Sequence, residues 1–416
     1  MKTILKKFAG NFLSTRLSQL VVCAALVSAS TLTLAQAGHL DKSFAKGGIF
    51  SFQLNGNDGN SCIANAVALQ SDGKIVAAGQ LGDQSGLIRL NPNGTLDTSF
   101  GNGGVVVTRI GGDIEQVFGG LAIQSDGKIV VVATAVPQGE QVARFNTDGS
   151  LDTTFGAAGV ANLPLNGDLL ALQSDGKIIV AGQGPAFPSA SLARLNSNGQ
   201  LDPTFGSGGF APLQGFGSRA IALQSDGKIL VASGGASLGR YNQDGSVDKT
   251  FGIFGQAASI ALPSAIAVQS DGKILAAGAD TSKVSATGNS TGFALVRFNS
   301  DGSIDTTFGA HGGAVTGFPN TTVTSAFAAA LQPNGDIVAV GEAGNNNPLT
   351  EAFALARYSG SGKLDPTFGN GGRATTGFGS TADAFITSIV LQSDRKIVVA
   401  GTNGGTSFEV ARYLGQ

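Results

Sequence analysis

Three observations predict an all-β fold, a seven-bladed β-propeller of four-stranded blades closed by an N-terminal outer strand that completes the last blade. An LDxxF element begins at Leu40, Leu96, Leu151, Leu201, Val247, Ile304 and Leu364, at spacings of 46 to 60 residues. A second motif, LQSDGKIVVAG or close to it, lies between successive copies. The third observation is composition: 63 Gly, 13% charged residues and no Trp in 416 residues suit short strands and tight turns, not long helices.

The clearest copy is Ala294 to Gly309, ALVRFNSDGSIDTTFG. Ala294, Val296 and Phe298 alternate with Leu295 and Arg297, the two-residue period of a strand. Asn299 to Gly302 supply turn chemistry, and Ile304 to Phe308 read as the return strand. A two-residue Asp-Gly loop would set Phe298 opposite Asp305. A three-residue loop with Gly302 left-handed sets Phe298 opposite Ile304 and Arg297 opposite Asp305, so that like faces like. The second register is the consistent one. The same offset recurs at Arg89/Asp97, Arg144/Asp152, Arg194/Asp202, Arg240/Asp248 and Arg357/Asp365. Asp41 near the start and Arg412 near the end are left over; as partners, they close the ring. Such a cross-strand ion pair contributes about 0.2–1 kcal/mol, enough to favour a register.

The second hairpin, AVALQSDGKIVAAG from Ala66, has counterparts at Ile123, Leu172, Leu223, Val268, Leu331 and Leu391; a three-residue loop pairs Val268 with Ile274. Each period then holds an inner LQ strand, whose small Ala side chains suit the crowded centre, a KIVVAG strand, an ARF strand and an outer LDTTF strand. The SDGK and NSDG turns share one face. The opposite face collects the variable loops, the longest being 278–292 and 341–351. Ligand-binding candidates there are Asp83, Asp113, Glu115, Asp280, Glu342 and Asp383, with Glu140 and Glu351 beside them.

Lys2, Lys6, Lys7 and Arg16 precede an apolar run from Leu17 to Leu34, and Ala35-Gln36-Ala37 fits a cleavage site. Residues 1–37 read as a signal peptide and 38–416 as the propeller. Removing the leader leaves 22 Lys plus Arg against 28 Asp plus Glu, a net charge of −6, which disfavours nucleic acid and anionic membranes as partners. Cys62 is then the sole cysteine, so no internal disulfide is expected, and it reads as a small buried or loop residue, the alternative being a reactive thiol.

The combination ALQSDGKIVVAG … ARFNSDGSLDTTFG over residues 40–416 resembles the delta-60 repeat family of bacterial exported and cell-surface proteins, and more loosely NHL-type propellers. That resemblance implies a β-propeller in a periplasmic, surface or extracellular setting, and no defined reaction. Arg395 departs from the pattern where Gly is expected; a left-handed non-Gly residue costs about 1–2 kcal/mol, so that turn is expected to relax. Ala45 replaces Gly in the first copy, and Ser359-Gly360-Ser361 replaces Asn-x-Asp in the sixth.

Other chemistry finds little footing. Asn299-x-Asp301-Gly302 with Asp305 resembles part of a calcium loop but is short of acidic ligands, and its Asp305 already faces Arg297. His39 and His311 neighbour no nucleophile motif and read as surface residues; with Cys62 they make no zinc set. No cofactor is expected. Tyr241, Tyr358 and Tyr413 repeat the Phe298 position, while Phe118, Phe187, Phe216, Phe318 and Phe378 fall outside the repeat and are candidates to line the variable face. The reading is an exported, monomeric, non-catalytic binding or scaffold module for a protein or cell-envelope component. The alternative is a carboxylate-dependent hydrolase or lyase with its site at the ring axis.

Overall fold

The computed structural model describes residues 36–416 apart from 55–60, 111–115, 136–138, 185–189, 216, 235–236, 259–260, 281–291, 346–349 and 380–382. Among the described residues every regular element is a strand, and no helix is long and apolar enough to cross a membrane. The chain enters at β1 (Ile49–Phe52) and then runs through six consecutive four-stranded blades. Blade 1 is β2 (Cys62–Leu69), β3 (Ile75–Leu81), β4 (Gln84–Leu90) and β5 (Val105–Thr108); blade 2 is β6 (Gln116–Ile123), β7 (Ile129–Ala135), β8 (Gly139–Phe145) and β9 (Val160–Leu163). Blade 3 is β10 (Asn166–Leu172), β11 (Ile178–Gln183), β12 (Ala190–Leu195) and β13 (Phe210–Pro212); blade 4 is β14 (Ser218–Leu223), β15 (Ile229–Ser233), β16 (Ser237–Tyr241) and β17 (Gln256–Ala258). Blade 5 is β18 (Ala261–Val268), β19 (Ile274–Asp280), β20 (Phe293–Phe298) and β21 (Gly313–Thr316); blade 6 is β22 (Val323–Leu331), β23 (Ile337–Gly344), β24 (Ala352–Tyr358) and β25 (Arg373–Thr376). Blade 7 joins β26 (Ala384–Leu391), β27 (Ile397–Asn403) and β28 (Ser407–Tyr413) to β1, which pairs antiparallel with β28 from Ile49↔Ala411 to Phe52↔Phe408.

The LQ strands form the inner circle: each touches its counterpart in the next blade, and β26 touches β2. Seven apolar clusters hold the ring, one at each blade junction. The KIVVAG strands feed two of them at once, because alternate side chains point to opposite neighbours. Ile397 and Val399 pack toward blade 6, while Val398 and Ala400 pack toward blade 1. Both faces are buried, so these strands read as continuous apolar runs.

The closing turn is rebuilt from two distant segments. In the intact hairpin of blade 5, Gly302 N–H donates to Asn299 O and Asn299 N–H to Ser303 O. In blade 7, Gly38 N–H donates to Leu414 O and Leu414 N–H to His39 O. Gln36 and Ala37 belong to this arrangement, two residues ahead of the domain start expected at 38: Ala37 is buried, and its carbonyl accepts Gly369 N–H.

The hairpin registers are those of the three-residue loops: Phe298 bridges Ile304, Val268 pairs Ile274, and Gly302 is left-handed at φ 87°. Two expectations need correction. LDTTF is not a strand: only its first residue bridges, and from Asp305 the chain turns, with Phe308 N–H donating to Asp305 O. The outer strand is the apolar segment that follows, for example β21. The Asp305 carboxylate accepts from Thr307 N–H and Oγ1–H, and this side-chain turn competes with any ladder. Arg395 does not relax. It stays left-handed at φ 67° and its N–H donates to Gln392 O at 2.8 Å, as Gly73 N–H does to Gln70 O at 2.9 Å in blade 1.

Every inner strand carries a register shift, a β-bulge, at the same place; in blade 6 it falls between Ala326 and Ala328. In blades 1, 5, 6 and 7 that bulge crowds the Gly of KIVVAG, whereas blades 2 and 4 carry Ala133 and Ser233 at the same position. A Cβ on Gly341 would sit 2.0 Å from Ser325 O, and Gly79, Gly278 and Gly401 meet the equivalent carbonyl at 1.9 to 2.1 Å. A Cβ there requires the bulge carbonyl to shift, which costs more than moving a side-chain tip. Gly341→Ala is therefore expected to lose about 1–3 kcal/mol, measured by denaturant unfolding; an unchanged midpoint would reject this account.

Candidate functional site

The two faces of the ring differ in chemistry. On the turn face each Arg does more than set a register. Arg297 donates to Asp305 Oδ2 at 2.8 Å, lies 4.6 Å over the Phe308 ring, and reaches the next blade to donate to Gly360 O at 2.5 Å. The same clamp runs around the circle through Arg89, Arg144, Arg194, Arg240 and Arg357. It closes where Arg412 donates to Asp41 at 3.0 Å and to Pro92 O at 2.5 Å, over the Phe44 ring. In five blades the Lys of SDGK joins the same carboxylate, as Lys273 does at 2.8 Å from Asp305. Burial alone would raise these carboxyls, but hydrogen bonds from the following Ser or Thr and the facing cations outweigh it. Asp202 is held at about 2, and Asp41, Asp97, Asp152, Asp248, Asp305 and Asp365 are likewise lowered.

Between these clamps lie polar cavities of about 480, 550 and 750 Å3 at the junctions of blades 1/2, 2/3 and 3/4. They sit on the repeated turn face, not on the variable one. The calcium-like Asp301 is occupied by its own turn, accepting from Ser303 N–H at 2.9 Å and Ser303 Oγ–H at 2.7 Å. Among the described residues no group of three His, Cys, Asp or Glu is arranged to hold a metal ion.

On the opposite face, the acidic candidates part company. Asp83 is exposed and pairs with Arg109 in blade 1; Asp280 is buried at the end of β19, in blade 5. Asp113 and Glu115 lie outside the described residues. Glu342, Glu351 and Asp383 converge at the seam of blades 6 and 7, although they stand up to 41 positions apart in sequence. Burial first, then the Asp383 charge, pushes the Glu342 carboxyl up to about 7 against an opposing Ser325 hydrogen bond. Burial also raises Glu351, which hydrogen-bonds Asp383 and feels both neighbouring acids. A carboxyl protonated near neutral pH can donate a hydrogen bond or a proton, whereas an ordinary surface Glu only accepts.

The aromatic candidates do not line this face. Phe118 is fully buried against Phe145 in the junction of blades 1 and 2, Phe318 packs on Phe293, and Phe378 on Phe353. Each fills a junction cluster near a loop, which the repeat pattern alone does not reveal. Phe187 and Phe216 fall outside the described residues. Glu409 was missed: it is buried on β28, accepts from Ser51 on β1 and from Ser407, and its carboxyl is raised by burial. Only the closing strand pair brings Ser51 to it.

No curated protein matches the chain. Among solved structures it is similar to the WD40 β-propeller domain of Doa1, at 16% identity and a TM-score of 0.50 over 86% of this chain and 95% of that one. It is similar to YCF48 bound to D1 peptide at 10% identity and a TM-score of 0.50, over 91% of this chain and all of that one. At these identities the likeness shows the fold alone. The model of the family described as domain of unknown function (DUF5122) β-propeller matches residues 70–100, 124–155, 173–205, 224–251, 269–308, 332–368 and 392–415. These segments make up more than half of the chain, one in each blade, and the chain belongs to the DUF5122 β-propeller family.

Proposed function

We propose that this ring is a binding or scaffold module that engages a partner protein or cell-envelope component through its variable-loop face. One observation carries the reading. The turn face repeats a single clamp seven times, whereas the opposite face carries different groups on each blade and gathers Glu342, Glu351 and Asp383 at one seam. Identical frames bearing unlike loops are how scaffolds present recognition surfaces. The fold shared with YCF48, whose structure contains a bound D1 peptide, is in keeping with this use. The leader-like residues 1–37 and the resemblance to delta-60 repeats support export to the periplasm, outer surface or medium.

The test is cross-linking of the purified ring to envelope extract, beside two variants. Glu342→Gln with Glu351→Gln and Asp383→Asn should lose the captured partner, and Asp126→Asn on the turn face should keep it. Capture that survives the triple change, or is lost with Asp126→Asn, overturns the assignment of the face.

A second reading is favoured by the raised carboxyls: a hydrolase or lyase in which Glu351 serves as general acid. It differs from the first in requiring turnover to vanish in Glu351→Gln while partner capture persists.

The raised acids also predict a pH effect on stability. Their folded values lie above the unfolded ones, so the fold holds extra protons, for Glu342 between about 4.5 and 7 and for Glu351 in the same direction, and stability falls as pH rises from the unfolded to the folded value. Glu351→Gln should raise the melting temperature at pH 8 and leave it nearly unchanged at pH 4. Equal shifts at both pH values would refute the burial of a protonated carboxyl there.

A further inference from the structure

Three departures from the repeat, scattered in sequence, meet in one cavity at the outer rim of the blade 6/7 junction. The cavity measures about 840 Å3 and is lined by His39, Lys42 and Arg373 with no carboxylate among its lining residues. The positions equivalent to these three hold at most one cation at each of the other six junctions, Lys249 or Lys363. There the Arg373 position is Ile49, Val105, Val160, Phe210, Gln256 or Gly313. The turn position that is Asp148, Asp244 or Asp301 elsewhere is Ala37 here. A local excess of positive charge therefore stands out on a chain whose residues 38–416 are net acidic.

The cavity is built to receive more than an ion. Arg373 Nε donates to Gly317 O at 2.8 Å and Nη1 to Gly371 O at 3.1 Å, which holds the guanidinium in place before any ligand arrives. Leu40, Phe318 and Pro319 supply an apolar floor. All four residues of β25 line the cavity although their side chains alternate, so the cavity runs along the strand edge; β25 pairs with β24 on its other side, and on the cavity side Arg373 O accepts Asn370 N–H while beyond that bond β25 joins no further strand of its sheet. An extended segment laid on such an edge gains main-chain hydrogen bonds and presents alternate side chains to the two walls.

We propose that this rim groove binds an extended acidic peptide of a partner protein, its carboxylates meeting Arg373, Lys42 and His39 and its intervening apolar side chains meeting the floor. The site shares no lining residue with the Glu342/Glu351/Asp383 seam.

The experiment is fluorescence anisotropy with a labelled decapeptide alternating Glu and Leu, and a Gln/Leu peptide as control. The Glu peptide should bind the wild-type ring and the Gln peptide should not, and added salt should weaken binding. Lys42→Glu leaves the Arg373 backbone contacts intact and should weaken binding up to about fivefold, and Lys42→Glu with Arg373→Ala about tenfold or more. The Glu342/Glu351/Asp383 triple variant should bind the peptide as wild type does, so failure here is separable from failure of the variable-face reading. The proposal is overturned by equal binding of the Glu and Gln peptides, by binding unchanged in Lys42→Glu, or by no binding at all. Complete displacement by inorganic phosphate at equal concentration would make this a small-anion site and also overturn it.

Discussion

Deleting Leu40 to Leu54 is expected to lower stability more than any single substitution, because the segment both pairs β28 and roofs two junctions. Phe44 is fully buried beneath the Arg412 guanidinium, and Leu40, Ile49, Phe50 and Phe52 pack on the clusters at either side of blade 7. Loss of one buried Phe costs about 3–5 kcal/mol. Whole domains are stable by only about 5–15 kcal/mol. Removing the segment also bares the edge of β28, a template for association with other chains. The expected outcome is a melting temperature lowered by many degrees, with aggregates on size-exclusion chromatography. A monomer with an unchanged melt would mean that the ring does not depend on its closing strand.

The second large effect is expected at the closing ion pair. Asp41→Asn leaves Arg412 buried without its counter-charge and weakens Lys396, which approaches Asp41 at 3.4 Å. Breaking a buried pair from one side costs about 3–5 kcal/mol, which is the cost of stranding a charge and not the worth of the pair. The exchange Asp41→Arg with Arg412→Asp should recover only part of this. The new Arg would face Lys396, and the Pro92 carbonyl and the Phe44 ring would lose the guanidinium they now hold. Chemical denaturation of the single and double variants decides it; absence of any recovery would place the energetic role of Arg412 in its contacts to Pro92 and Phe44 alone. The carboxyls of the seven clamps are all lowered below their ordinary value of 3.8. Their contribution is accordingly complete above that pH and is lost as pH falls toward the folded values. In Asp41→Asn that acid loss should shrink by one clamp in seven.

Much of the architecture was legible from the chain because the signals are local and repeated. A three-residue turn fixes the register of its own two strands, so Phe298 against Ile304 and Arg297 against Asp305 follow from spacing. The unpaired Asp41 and Arg412 then imply closure, since each unmatched half of a sevenfold pattern needs its complement. What misled was also local. LDTTF alternates like a strand, but Asp305 and Thr307 form a side-chain turn that satisfies the backbone first. The Gly of KIVVAG was visible as a repeat and its crowding was not, because the carbonyl nearest a Cβ there belongs to a bulge on the neighbouring strand.

The number of blades and the pairing of the three inner strands in each were determined by the sequence alone, since turn chemistry and alternation act over a few residues. Which groups meet across blades was decided only by the tertiary structure. Glu342, Glu351 and Asp383 share a seam because successive blades stack, and His39, Lys42 and Arg373 share a groove because closing the ring brings the first segment of the propeller back to its last blades. Burial and proximity, the two causes of a carboxyl that keeps its proton and of a cationic cavity, depend on distances in space that no local pattern records.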